Sequence, residues 1–136
     1  MSSAVDNLIP HRAPMRWLDA LTECTDTTAT ATVCFNADHF AVADGVVLES
    51  ALVECVAQTV AAALGYRGQK RGESGKPGLG MLTVVSDFQI RSRPLAGKQL
   101  TVEVRELRRL GPMLLVTGSV ACDGQVIAIG ELTLYA

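Results

Sequence analysis

The eighteen residues from Val46 to Ala63 constrain this chain more than any other stretch. Apolar residues recur on every side at helical spacing, so the segment reads as a core helix enclosed by other structure rather than laid on a surface. Ala51, Ala57, Ala61, Ala62 and Ala63 keep its girth small enough for neighbouring backbone to come close. Glu54 and Gln58 nevertheless stand in its middle. Four residues apart, they share one face, which Ala61, Ala62 and Gly65 continue with almost no bulk, and this predicts a narrow polar slot beside open space. A carboxylate in such a run is costly to bury unless it is hydrogen-bonded or neutral. That marks Glu54 as a candidate working group, with a satisfied structural carboxylate as the plainer reading. Asp44 is the expected N-cap, Glu49 suits the positive first turn, and Gly65 is the expected stop.

The remainder reads as strands. Arg16 to Leu21 is short and apolar, and Thr27 to Phe35 alternates and is rich in β-branched residues, which predicts two consecutive antiparallel strands before the helix. After it, Arg67 to Pro77 is a polar, glycine-rich loop. Strands follow over Leu79 to Ile90, Gln99 to Leu107, Met113 to Ala121 and Val126 to Tyr135, the last two joined by the hairpin dipeptide Asp123-Gly124. An antiparallel sheet cannot leave a hydrophobic helix half covered, so the expected fold is α+β, with the sheet curled around one long central helix. A chain of 136 residues makes this a single domain, residues 1–136.

Composition narrows the function classes. The apolar run is too short and too interrupted to span a membrane, and the N-terminus lacks the charged-then-apolar pattern of a signal, so a soluble cytoplasmic protein without membrane insertion is expected. Cys24, Cys34, Cys55 and Cys122 show no paired spacing and no histidine-rich neighbourhood, so neither a metal site nor a disulfide framework is indicated. Few aromatics and no nucleic-acid motif argue against a nucleic-acid partner. Charge is uneven: eight carboxylates precede Tyr66 against Arg12 and Arg16 alone, whereas ten cations and four carboxylates lie between Arg67 and Arg109. A basic patch for an acidic partner is one reading of that half, and scattered charges on solvated faces the other.

Three blocks, in order, carry a family resemblance. Leu8 to Leu21, LIPHRAPMRWLDAL, resembles the opening of hotdog-fold 3-hydroxyacyl-(acyl-carrier-protein) dehydratases; His39-Phe40 resembles their catalytic His-Phe; Glu54-Cys-Val-Ala-Gln58 resembles their helix segment Glu-x-x-Ala-Gln. The continuation Ala57-Gln58-Thr59-Val60-Ala61-Ala62 is similar to small dehydratases of aryl polyene-type pathways. The resemblance implies the hotdog fold, dimerised edge to edge, with the histidine of one subunit meeting the acid of the other and the acyl chain lying along the helix. It also implies a substrate carried on acyl carrier protein or coenzyme A, and a homodimer or higher oligomer, or a heterodimer with a related hotdog protein. Two departures stand out. Ala41-Val42 replaces a Pro-Gly after the His-Phe, and Leu48-Glu49 replaces a second such pair, with one extra residue between His39 and Glu54.

Removing water from a 3-hydroxyacyl thioester needs a base for the C2 proton, an acid for the departing hydroxyl and donors at the thioester oxygen. On the family pattern His39 is the expected base and Glu54 the neutral acid, with Gln58 orienting Glu54 through a hydrogen bond. The helix start at Glu49 and Ser50 is expected to supply amide donors, although a carboxylate at Glu49 opposes charge developing there. No cofactor and no metal is required. Arg67, Lys70, Arg71, Arg91 and Arg93 are the expected acyl-carrier-protein surface. Two other functions fit the same residues: a hotdog thioesterase in which Glu54 activates water or attacks the carbonyl, and a noncatalytic acyl-carrier-binding subunit of a hetero-oligomeric dehydratase.

Overall fold

A computed structural model describes Leu8, residues 15–72 and residues 81–135. The Pro-His-Arg of the lead-in, including His11, and the loop portion at residues 73–80 lie outside the described residues. Six strands form one antiparallel sheet: β1 (Ala20–Cys24), β2 (Thr28–Cys34), β5 (Met81–Ile90), β6 (Gln99–Leu110), β7 (Met113–Cys122) and β8 (Gln125–Tyr135), in the order β1-β2-β6-β7-β8-β5. A two-stranded ribbon, β3 (Val42–Ala43) with β4 (Val46–Val47), precedes α1 (Glu49–Lys70), the one long helix among the described residues. This is the α+β hotdog arrangement expected from the sequence.

Period-two alternation aims the sheet. On β2 the small residues Ala29 and Ala31 and then Val33 face inward and are buried, while Thr28, Thr30 and Thr32 face out. Leu100, Val102 and Val104 on β6, with Leu114, Val116 and Val120 on β7, continue that inner face. The helix is buried through most of its length, and Leu52, Cys55, Val56, Val60 and Ala62 meet the sheet's concave side. Close approach depends on missing side chains: a β-carbon at Gly118 would collide with Val56, and one at Gly130 with Phe88.

The helix differs from expectation at both ends. Asp44 does not cap it. With Gly45 it forms the tight turn of the β3–β4 ribbon, both residues at positive φ (54° and 76°), the same Asp-Gly geometry as Asp123-Gly124 (53° and 79°). The helix therefore starts three residues later than Val46, and its N-cap, Leu48, offers no side-chain hydrogen bond. At the other end α1 runs through Gly65 to Lys70. Gly65 is there for packing, since a β-carbon at that position would collide with the carbonyl of Leu8.

Candidate active site

His39 sits in the turn between β2 and β3. Its Nδ1 accepts the Ala41 N–H at 2.9 Å, and the Ala41 carbonyl accepts the N–H of Leu48, the helix N-cap, at 2.8 Å. Two hydrogen bonds thus join the imidazole to the start of α1, where Glu49 and Ser50 occupy the exposed first turn. With Nδ1 accepting, the proton of the neutral ring lies on Nε2, an assignment made from this hydrogen bond. In that state Nε2 is a donor, directed away from the Ala41 amide.

Aromatic rings surround His39. Phe40 stacks on it (centroids 4.8 Å apart, planes at 21°), and Phe35 and Trp17 approach edge-on at 5.0 and 5.6 Å. Phe35 is buried, Trp17 is half-buried, and Phe40 is 56% exposed, so the box is closed on one side and open on the other. The sequence pattern did not assign Trp17 or Phe35 to the site; the one available signal was that Trp17 is the sole tryptophan, placed within the lead-in block.

Glu54 lies little more than one turn inside α1, half-buried, with its Oε2 atom buried. Burial pushes the neighbouring Cys55 thiol well above its usual range, and the Glu54 carboxylate pushes it further the same way. Cys55 is thus an inert core thiol rather than a nucleophile.

Gln58 is fully buried, at 0% exposure. Its Oε1 accepts the Trp17 N–H at 3.0 Å and its Nε2 donates to the Met15 carbonyl at 2.8 Å. Both ends of the amide are therefore spent on the lead-in backbone, in place of the expected orienting of Glu54. The small face beyond it is not an open channel. Ala61, Ala62 and Gly65 are buried within the single chain, with the Leu8 backbone packed against Gly65. Two larger concavities, of about 360 and 370 Å³, lie on the outer face of the sheet around Glu103 and Ser119, away from His39 and Glu54.

The five cations expected to make one carrier surface fall into two groups. Arg67 is bound into the fold: Nε donates to the Thr25 carbonyl (2.7 Å), an Nη to that of Thr28 (3.4 Å), and the other Nη pairs with Glu106 (3.3 Å). Lys70, over the Tyr66 ring, and Arg71 share that C-terminal end. Arg93 is at the opposite end, donating to the Val47 carbonyl at 3.0 Å, and Arg91 is two residues away from it. A 22-residue helix separates the groups by about 30 Å. No group of three or more His, Cys, Asp or Glu side chains suited to a metal ion occurs among the described residues. No helix among them is long and apolar enough to cross a membrane.

These features were compared with known proteins. A family model described as ApeP-like, ApeP dehydratase, matches residues 3–136. A 3-hydroxyacyl-(acyl-carrier-protein) dehydratase FabZ of Magnetococcus marinus is 30% identical over 135 residues, covering 90% of this chain and 86% of that protein. Among solved structures, a chain of the dehydratase heterocomplex ApeI:P from Xenorhabdus doucetiae superposes with a TM-score of 0.89 at 25% identity, covering 98% of this chain and 90% of that one. PH1136 from Pyrococcus horikoshii, at 12% identity and a TM-score of 0.71 over 99% of this chain and 93% of its own, shares the fold. A His-Phe turn tied to the entry of a central helix that bears a carboxylate, with a family model matching almost end to end, makes this chain a member of the ApeP-like dehydratase family.

Proposed function

We propose that this protein converts a 3-hydroxyacyl thioester to the 2-enoyl thioester in fatty-acid or polyene biosynthesis, with the acyl group carried on acyl carrier protein or coenzyme A. One connection supports the reading above all: the His39 loop is hydrogen-bonded through Ala41 to the start of the helix that bears Glu54. The protons balance with a single carboxylate. Ionised Glu54 takes the C2 proton, the C3–O bond breaks as the double bond forms, and the proton passes from Glu54 to the leaving hydroxyl as water. Neutral His39 donates from Nε2 to that oxygen throughout. The amides of Glu49 and Ser50, in a first turn without a side-chain cap, face the developing charge on the thioester oxygen.

The acyl carrier protein, where it is the carrier, docks at Arg91 and Arg93, the pair at the His39 end. Assembly is a dimer formed along the outer edge of β5, with a second copy or with a related hotdog protein; the heterocomplex in which the Xenorhabdus relative was solved supports the second form. A cytoplasmic setting belongs to the same proposal, supported by four cysteines that are all free thiols.

The test is a mass-resolved assay of 3-hydroxyacyl thioesters with the chain alone and mixed with candidate hotdog partners. The expected product is the thioester less one water. Free acid and thiol would replace the reading with a thioesterase, and carrier binding without turnover in every mixture would replace it with a noncatalytic subunit.

A further inference from the structure

Gln58 is buried, polar and one turn from Glu54, yet its amide serves a third residue. A buried primary amide satisfied at both ends by backbone fixes that backbone in position and direction, because leaving either end unpaired costs about 1–3 kcal/mol. The backbone it fixes is that of Met15 to Trp17, in an irregular stretch with no strand ladder of its own; β1 starts only at Ala20. The Trp17 indole then stands edge-on to three rings at once: Phe35 at 5.4 Å and 77°, His39 at 5.6 Å and 82°, and Phe40 at 5.8 Å and 63°. Such pairs contribute about 0.5–1.5 kcal/mol each and constrain ring direction. The Ala41 amide holds one edge of the His39 ring, and the aromatic box sets its tilt.

We infer that Gln58 and Trp17 are positioning residues for His39, a relay from the interior of α1 through the lead-in backbone to the imidazole. The inference rests on the dehydratase reading for its kinetic consequence and not for its geometry. It assigns Gln58 to the histidine side of the reaction, although the helix places it on the face of the carboxylate. A misplacement of about 1 Å is enough to cost on the order of 100-fold in rate, so loosening this relay lowers turnover without weakening substrate binding.

The test uses the full chain in its active assembly and has two arms. In the kinetic arm, Gln58→Met keeps the side-chain length and removes both hydrogen bonds. Its kcat is expected to fall by about 10- to 100-fold with KM within about twofold. Trp17→Phe, which keeps a ring edge, is expected to stay within about threefold of wild type, and Trp17→Leu to fall with Gln58→Met. In the optical arm, Trp17 is the only tryptophan, so its emission reports the His39 ring it touches. At one fixed pH, His39→Ala should change the Trp17 emission of wild type, and should change it less in a Gln58→Met background.

Unchanged kcat in Gln58→Met together with an undiminished effect of His39→Ala on Trp17 emission would overturn the relay. Should Gln58→Met fail to fold, equal kcat in Trp17→Phe and Trp17→Leu would overturn it in its place. A wild-type protein with no turnover would remove the dehydratase reading, while the optical arm still decides the relay.

Discussion

The two ends of α1 are put to opposite uses. At the C-terminal end, a cation that the sequence marked as a docking group is consumed: Arg67 joins the helix to the turn between β1 and β2 and to Glu106 on β6. Arg109 adds a second contact to Glu106 at 3.7 Å. At the N-terminal end the helix is left with an apolar cap residue, an exposed first turn and an imidazole bonded to the Ala41 amide within an aromatic box. Side-chain polar groups close the first end, while the first helical turn at the second has no side-chain cap. A helix that is stabilised at one terminus by its own side chains can present the other terminus to a ligand, because capping groups and substrate would compete for the same donors.

The sharpest way to break this contrast is to remove the two reacting groups. His39→Ala and Glu54→Gln should each lower turnover by about 10²- to 10⁴-fold, with the unfolding midpoint within about 4 °C of wild type. His39→Gln, whose amide can still donate, should recover about tenfold over His39→Ala if the imidazole acts as a donor. Equal losses in the two variants would return the base role to His39. At the closed end, Arg67→Met should reverse the pattern, costing about 1–3 kcal/mol in denaturant unfolding because Glu106 and the Thr25 and Thr28 carbonyls each lose one donor from the half-buried Arg67 side chain. Turnover should stay within about twofold of wild type in that variant. A large activity loss with unchanged stability would show that the closed end is functional after all.

Gly65→Ala probes the point between the ends where the lead-in crosses the helix. Overpacking against the Leu8 carbonyl should cost about 1–3 kcal/mol, and a neutral result would mean that the crossing is loose. The smallest effect concerns Cys55. Its folded-state proton is held more tightly than in the unfolded chain, so its contribution to stability is complete below the usual thiol range and is lost as pH rises beyond that range. Cys55→Ala should flatten the alkaline limb of a stability-against-pH curve. In native wild type, alkylation at mildly alkaline pH should reach Cys55 last; early labelling would contradict its burial.

Much of this architecture was legible because its signals are local. Alternation in Thr28–Cys34 and the Asp123-Gly124 turn each needs only a few adjacent residues to be decisive. Asp44-Gly45 carries the same turn chemistry, but its flanking strands are two residues each, and a following apolar run made the aspartate look like a cap. Gly65 misled for a different reason: a glycine demanded by a distant backbone is indistinguishable in sequence from one that ends a helix. At the site, His39 and Glu54 stood out by residue type. Gln58's partners did not, because they are backbone atoms more than forty residues away in an irregular segment. The two-ended placement of the cations was not legible, since Arg67 and Arg93 flank one loop-and-strand segment in sequence, and nothing in one dimension shows which end of a helix each one reaches.

The strands at the two margins of the sheet share one irregularity. Pairing slips on β1 between Leu21 and Glu23, and on β5 both between Leu82 and Val84 and between Ser86 and Gln89, where Asp87 adopts a positive φ of 51°. A kinked border cannot serve as a flat template over its whole length, so a strand added to β5 finds only a short straight run to follow. Growth by endless lateral addition is thereby discouraged while a finite pairing is still permitted. Excising Asp87 to straighten that border would be expected to trade a soluble particle for fibrous aggregates.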